Sequence, residues 1–212
     1  MYPRSLRDVF VLTAQYPPVD SPLSEFSFRI ADALSTVATV YVVAPGLQWQ
    51  DIGNVRLRGF VNPVYDHQNV ITWAFSACRE AERIVATSAY ERGARGPVIA
   101  VNWELFPAAL SVGRFFSFPV YFIPHSFELQ RGNSSSLLSM AIKELEKLAV
   151  SAAQDTLLFG REIAEYYYKT GGNSDTAVEL PVEQVQPFRK KELAESLMKV
   201  LGQYLSEGAL HR

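Results

Sequence analysis

Short runs of apolar residues recur along the chain, and each is bounded by turn residues and separated from the next by a segment of helix length. Most of these runs are continuous rather than alternating, which is typical of parallel strands covered on both faces. We therefore predict about seven strands, over residues 9–14, 37–44, 55–61, 97–102, 118–124, 156–160 and 177–181.

The segments between these runs favour helices. We predict them over residues 22–35, 68–92, 104–114, 136–152 and 161–170, with residues 83–88 also compatible with a strand. After an extended stretch at residues 184–187, a last helix places Leu193, Leu197 and Leu201 on one face, which must pack on something. This alternation predicts a single doubly wound, Rossmann-like α/β domain with a mainly parallel sheet and a C-terminal helix packed back on it.

Composition narrows the function classes. The 212 residues carry a formal net charge of −2, and the longest basic block is Arg189 to Lys191, so nucleic acid is not an expected partner. Cys78 is the only cysteine, and we find no metal-ligand spacing, so we expect neither an intrachain disulfide nor a metal site. No stretch reaches membrane-spanning length, and the N-terminal apolar run is too short for a signal peptide, so we expect a cytoplasmic protein.

The predicted sheet also predicts where a ligand would bind. In doubly wound sheets, ligands lie outside the carboxyl ends of the strands, near the point where strand order reverses. This geometry selects the loops at residues 15–24, 102–104, 125–128 and 160–161.

Four quoted stretches carry a family resemblance. "TAQYPP" and "RIADAL", "VIAVNWELFPAAL", and "FPVYFIPHSFE" occur in an order and spacing similar to the amino-terminal half of GT-B glycosyltransferases of the glycogen-synthase and sucrose-synthase-like kind. In that family the first strand ends in a Tyr-Pro-Pro turn and a Gly-Gly-x-Gly loop, and later strands end in Asp-Trp and His-Gly. The resemblance covers about residues 8–188.

The first departure from the family is in the glycine loop. The family's glycines fall on Ser21, Pro22 and Ser24, where they would let backbone amides approach the donor's phosphates. Ser21 followed by Pro22 instead predicts an N-cap and a first helical proline. Asp20 and Glu25 suit the positive end of a helix dipole but would repel a phosphate. We predict a good helix start and a poor phosphate cradle.

The second departure is the missing carboxyl-terminal domain, which in GT-B enzymes holds most of the donor nucleotide. The resemblance implies two parts, an N-terminal Rossmann domain at 1–188 and a helix at 189–212 similar to the family's final crossover helix. Transfer from a nucleotide-sugar donor would then need a donor-binding partner chain or a homodimer.

The resemblance and the loop positions nominate individual residues. His125 resembles the family histidine that contacts the transferred sugar, although it could instead cap the following turn. Trp103 could stack on a sugar or lie in the core, and Glu128 could accept hydrogen bonds from acceptor hydroxyls or be solvated. Arg161 could meet an anion or be a surface residue. The other binding candidates are Asp20, Ser21, Ser24, Glu25, Asn102 and Ser126.

The resemblance implies an acceptor-side half of a GT-B enzyme. Such a chain would transfer a hexose from a nucleotide-sugar to an oligosaccharide or small acceptor only when a donor-binding partner is supplied, and we expect no activity from the isolated chain. No cofactor other than the donor is expected. The alternative is a non-catalytic glycan-binding or protein-interaction module derived from the same fold.

Overall fold

A computed structural model describes residues 8–63, 70–132, 135–181, 185 and 189–207, with side chains up to residue 202. Within these residues one sheet of eight strands is covered by six helices. The strands are β1 (Asp8–Thr13), β2 (Thr39–Pro45), β3 (Gln50–Ile52), β4 (Val55–Phe60), β5 (Val98–Val101), β6 (Val120–Ile123), β7 (Asp155–Phe159) and β8 (Ala177–Leu180). The helices are α1 (Pro22–Leu34), α2 (Val70–Arg92), α3 (Phe106–Phe116), α4 (Leu137–Ala152), α5 (Arg161–Lys169) and α6 (Lys190–Glu207).

The strand order is β3-β4-β2-β1-β5-β6-β7-β8, and every described pairing is parallel except that of β3 with β4. The chain runs outward from β1 to one edge, returns to β5 beside β1, and then runs outward to the other edge. The prediction of a doubly wound, mainly parallel sheet is confirmed. The strand order reverses between β1 and β5, so a ligand is expected near their carboxyl ends.

The predicted number of strands is one too low. The missed strand, β3, has only three residues, all exposed, and therefore no apolar run to reveal it. It pairs with β4 at the sheet edge, where Asp51 accepts from the buried Arg58 guanidinium at 2.7 Å. The alternative strand at residues 83–88 is wrong, because these residues lie inside α2.

The core lies on both faces of the central strands. β5 and β6 are buried along their whole length, and β1 is buried from Val9 onward, which explains their continuous apolar runs. α1 turns one face to the sheet, with Leu23, Ile30 and Leu34 buried. Burying a side chain of this size contributes roughly 1.5–3 kcal/mol.

The last helix packs back on the domain, as predicted. Leu193, Leu197 and Leu201 of α6 are buried, and the main neighbour of α6 is α1. Lys190 Nζ forms an ion pair with Asp32 Oδ1 of α1 at 2.6 Å. The extended stretch predicted at 184–187 lies outside the described residues except for Val185, and the division of the chain at residue 188 stays a prediction.

Candidate substrate cleft

A cleft of about 660 Å³ opens at the carboxyl edge of the sheet. Its walls are the first two turns of α1, the residues that follow β6, and the start of α5. Three of the predicted site residues, Glu25, His125 and Arg161, line it together, although they are far apart in the sequence. Parallel strands bring their following loops to one edge, which is why these residues meet.

The start of α1 has the predicted cap. The Ser21 side-chain oxygen accepts the backbone N–H of Ser24 at 3.1 Å, and Pro22 occupies the first helical position. The Ser21 hydroxyl also donates to the Gln15 side chain. Glu25 in the first turn pairs with Arg29 one turn later, at 2.5 Å. The serine, the proline and the carboxylate all stabilise the helix start, so they leave little of it free for an anion.

His125 lies at the floor of the cleft, directly after Pro124 at the end of β6. Its ring packs edge-on against Phe26, with 5.3 Å between ring centroids, and Phe26 in turn packs on Phe159. Burial lowers the pKa of His125 below its ordinary value of 6.5. The imidazole is therefore mainly neutral at pH 7, with one nitrogen to donate a hydrogen bond and one to accept.

The start of α5 differs from that of α1. Its N-cap is Gly160, with a φ of 94° that favours glycine, and no side chain caps the helix there. Arg161, the first helical residue, is exposed and lines the cleft. Backbone N–H groups at a helix start and a guanidinium both attract anions, whereas Glu162, in the same first turn and also lining the cleft, opposes them. Arg161 is therefore the group on this wall that could hold a phosphate or a carboxylate.

Asn102 and Trp103 follow β5 but lie away from the cleft lining. Trp103 is 6% exposed within the core, which leaves little of its ring face for a sugar. Asn102 is also buried, with a φ of 67°, and its Nδ2 donates to the two carboxylate oxygens of Glu104 at 2.9 and 3.1 Å. Of the two interpretations of Trp103, a sugar-stacking platform or a core residue, the burial of its side chain in this chain favours the core residue.

The remaining candidates fall at different places. Asp20 is exposed on the turn before α1, while Ser24 is buried inside that helix. Ser126 is half-buried in the loop after His125. Glu128 is buried rather than solvated, and its nearest cation is Arg131, at 3.6 Å. The roles of these residues stay predictions.

Two carboxyl groups with raised pKa values, the buried Glu146 and the half-buried Glu104, were not anticipated from the sequence. Glu146 of α4 is 1% exposed, and its Oε1 accepts the backbone N–H of Glu128 at 2.7 Å. Burial raises the pKa of Glu146 to about 7, and burial does the same to Glu104, also to about 7. Glu146 lies in an ordinary amphipathic helical pattern, and the only hint in the sequence is that it falls on the buried face of that helix.

The described residues were compared with the requirements of a metal site and of a membrane-spanning helix. Among them, no group of three His, Cys, Asp or Glu side chains is arranged to hold a metal ion. In that same part of the chain, no helix has both the length and the apolar character needed to cross a membrane.

No protein-family model matches the sequence, and no curated protein matches it either. Solved structures do match the fold. One is a sucrose-phosphate synthase chain from Thermosynechococcus elongatus. It has a TM-score of 0.66 and 9% identity, with 92% of this chain and 98% of that chain covered.

Two longer chains are similar over about half their length. A second sucrose-phosphate synthase structure from the same organism has a TM-score of 0.66 and 11% identity, and the match covers 82% of this chain and 48% of that one. UDP-N-acetylglucosamine 2-epimerase from Rickettsia bellii has a TM-score of 0.55 and 9% identity, with 92% and 48% covered. The chain thus has a GT-B-like Rossmann fold, and since an epimerase shares that fold, the fold alone does not specify the reaction.

Proposed function

We propose that this chain is the amino-terminal, acceptor-side half of a glycosyltransferase of the GT-B type. It transfers a hexose from a nucleotide-sugar to an oligosaccharide or small acceptor only when another chain supplies the donor-binding half. The observation that carries the proposal is the cleft at the carboxyl edge of the sheet, where a neutral His125 and the open start of α5 face the same space.

We assign different roles to the residues on the two sides of the cleft. His125 donates a hydrogen bond to the sugar being transferred, and Arg161 with the first N–H groups of α5 faces an anionic group of donor or acceptor. Glu25 borders the cleft but is paired with Arg29, so it orients the wall rather than taking up a phosphate. Glu128, which is buried, acts through its backbone and its pairing with Arg131 more than as a free carboxylate.

The proposed second chain is supported by exposed apolar surface beside the cleft. The chain spans about half of the longer solved proteins that it resembles. Val19 and Phe28, on the turn and the helix that border the cleft, keep 50% and 42% of their surface exposed. A second chain closing over the cleft would cover such side chains. A homodimer is the other arrangement that would close it.

We also propose that the chain divides into an N-terminal Rossmann domain at residues 1–188 and a returning helix at 189–212, because α6 packs against α1. We further propose that the protein works in the cytoplasm, with no cofactor besides the donor.

The alternative function is a glycan-binding or protein-interaction module without catalysis. The capped start of α1 favours it, because Ser21, Pro22 and Glu25 occupy the place where a phosphate would approach. In this case the cleft would bind an oligosaccharide without any nucleotide-sugar.

Thermal shift separates the two functions. The purified chain is titrated with uridine, guanosine and adenosine diphosphate sugars and with a panel of oligosaccharides. Binding to the native state alone stabilises it by about 2.7 kcal/mol at a hundredfold excess over Kd. We expect a response to oligosaccharides, and for nucleotide-sugars a response that Arg161→Ala weakens. Arg83→Ala, which removes an exposed arginine on α2, is the matched control.

Each outcome has a distinct meaning. A response to nucleotide-sugars supports the transferase half, whereas a response to oligosaccharides alone supports the non-catalytic binding module. Sugar transfer by the isolated chain would overturn the requirement for a partner. No response to any compound would overturn both functions and leave a subunit whose cleft is formed only in an assembly.

A further inference from the structure

The loop that carries His125 is fastened at two successive backbone positions. The Phe127 N–H donates to Gln130 Oε1 at 2.6 Å, and the next N–H, that of Glu128, donates to Glu146 Oε1 at 2.7 Å. The first contact is local, within a single 3-10 turn. The second crosses from the loop to the interior face of α4, where it is buried. A third hydrogen bond, from Gln130 Nε2 to Glu162 Oε1 of α5 at 3.2 Å, is exposed.

Burying the carboxyl group of Glu146 costs free energy. It is 1% exposed, and within the described part of the chain its Oε2 has no hydrogen-bond partner. The charges that act on it are the carboxyl groups of Glu128 and Glu104, which oppose ionisation, and the guanidinium of Arg131, which favours it. A buried carboxyl group with one oxygen unpartnered costs free energy unless the other oxygen makes a contact that the fold needs.

We propose that Glu146 is a positioning residue, which holds the His125–Glu128 loop so that the His125 ring stays packed against Phe26 in the cleft. The inference rests on the proposed function in one respect, that His125 is the group that faces the substrate. The contact itself does not depend on any ligand. It can therefore be tested on the chain alone.

The contact makes a clear distinction between substitutions. Glu146→Gln keeps a carbonyl oxygen at the same position, so it can still accept the Glu128 N–H. Glu146→Ala removes the acceptor, and Glu146→Asp withdraws it by one methylene. Glu144→Ala is the matched control, because Glu144 lies on the same helix, is 70% exposed, and pairs with Lys147.

The readout is the imidazole of His125, followed by nuclear magnetic resonance across a pH titration. The chain has three histidines, so the spectrum is simple, and His125→Gln assigns the signal. In Glu146→Ala we expect the pKa of His125 to move up towards its ordinary value of 6.5, because the ring leaves its buried position. Glu146→Gln and Glu144→Ala should titrate like the parent, since Glu25, Arg29, Arg161 and Glu162 around the cleft are unchanged.

Amide hydrogen exchange at Glu128 provides a second measurement that uses milder variants. We expect exchange at least tenfold faster in Glu146→Asp than in the parent, and exchange like the parent in Glu146→Gln. A folded Glu146→Ala with an unchanged His125 titration would overturn the proposal, and so would parent-like exchange at Glu128 in Glu146→Asp. Because neither measurement uses a sugar or nucleotide, failure here is distinct from failure of the proposed function.

Discussion

Two helices start at the cleft, and their caps differ. α1 begins with a serine cap and a proline, so its first turn is stabilised by its own sequence, while each helix has one glutamate in its first turn, Glu25 in α1 and Glu162 in α5. α5 begins at Gly160 without any side-chain cap, and its first residue is Arg161. A cation such as Arg161 is unfavourable at the positive end of a helix dipole. An anion bound between the Arg161 guanidinium and the N-terminus of α5 would remove this repulsion.

The α1 wall and the α5 wall of the cleft differ in the charged groups that they leave without an ion pair. On the α1 wall, the Glu25–Arg29 pair satisfies both charges. On the α5 wall, no ion pair to Arg161 is found in the described portion of the chain, so the guanidinium remains open to a ligand. The cap stabilises the start of α1, and the proposed function assigns ligand binding to the start of α5. The predictions below separate these two properties.

The largest effect on the free energy of unfolding is expected for α6, which packs against α1. Leu197→Ala should lower the free energy of unfolding by about 3 kcal/mol, because Leu197 is fully buried and its truncation leaves a cavity. Urea denaturation measures the loss. Glu195→Ala, at an exposed position of the same helix, should stay within about 0.5 kcal/mol of the parent. Equal effects in the two variants would show that α6 does not support α1.

Glu146 of α4, which accepts a hydrogen bond from the loop after His125, should make the free energy of unfolding depend on pH. Glu146 has its pKa raised from 4.5 to about 7 in the folded state, so the fold binds this proton more tightly than the unfolded chain does. Its contribution is fully present below about pH 4.5 and is lost as pH rises to about 7.

Glu146→Gln cannot lose that proton. At pH 8 we expect it to be more stable than the parent by about 3 kcal/mol, and at pH 4.5 nearly equal to it. Thermal unfolding at a series of pH values measures the difference. A constant gap across the series would contradict the assigned pKa.

The cap of α1 should contribute a smaller amount. Ser21→Ala removes the oxygen that accepts the Ser24 N–H and should cost about 1 kcal/mol. Ser21→Gly should cost only a few tenths of that. The test is chemical denaturation of both variants at one pH, and a loss as large for glycine as for alanine would show that the proposed cap does not act as one.

The smallest effect on stability is expected at α5. Arg161→Ala should change the free energy of unfolding by no more than about 0.5 kcal/mol, since the side chain is exposed. It should nevertheless weaken binding of phosphate-bearing ligands about tenfold, with a smaller dependence on salt. Calorimetric titration with inorganic pyrophosphate at two salt concentrations checks this. Unchanged affinity would place the anion on another wall.

The sequence predicted most of the fold because its buried strands are long and apolar. The cap at Ser21 was also predictable, since a serine before a proline and an acidic first turn act within one helical turn. β3 was missed because a three-residue edge strand with exposed side chains has no apolar pattern and forms only where β4 offers its free edge.

The site was predicted in part. Glu25, His125 and Arg161 meet in the cleft because each follows or borders the end of a parallel strand, a position that the sequence reveals. Trp103 and Asn102 also follow a strand, yet they lie in the interior, because the direction of a side chain after a strand depends on the neighbouring helices. Glu146 escaped notice because its partner is a backbone amide eighteen residues away.

The order of strands and helices and the capped start of α1 can be predicted from the amino-acid sequence. They follow from apolar runs and from contacts between residues within one turn of each other. The sequence does not predict that α6 packs on α1, that Trp103 is interior, or that Glu146 accepts the Glu128 N–H in the loop after His125. Each of these depends on which surfaces meet across the fold, and no local pattern specifies that.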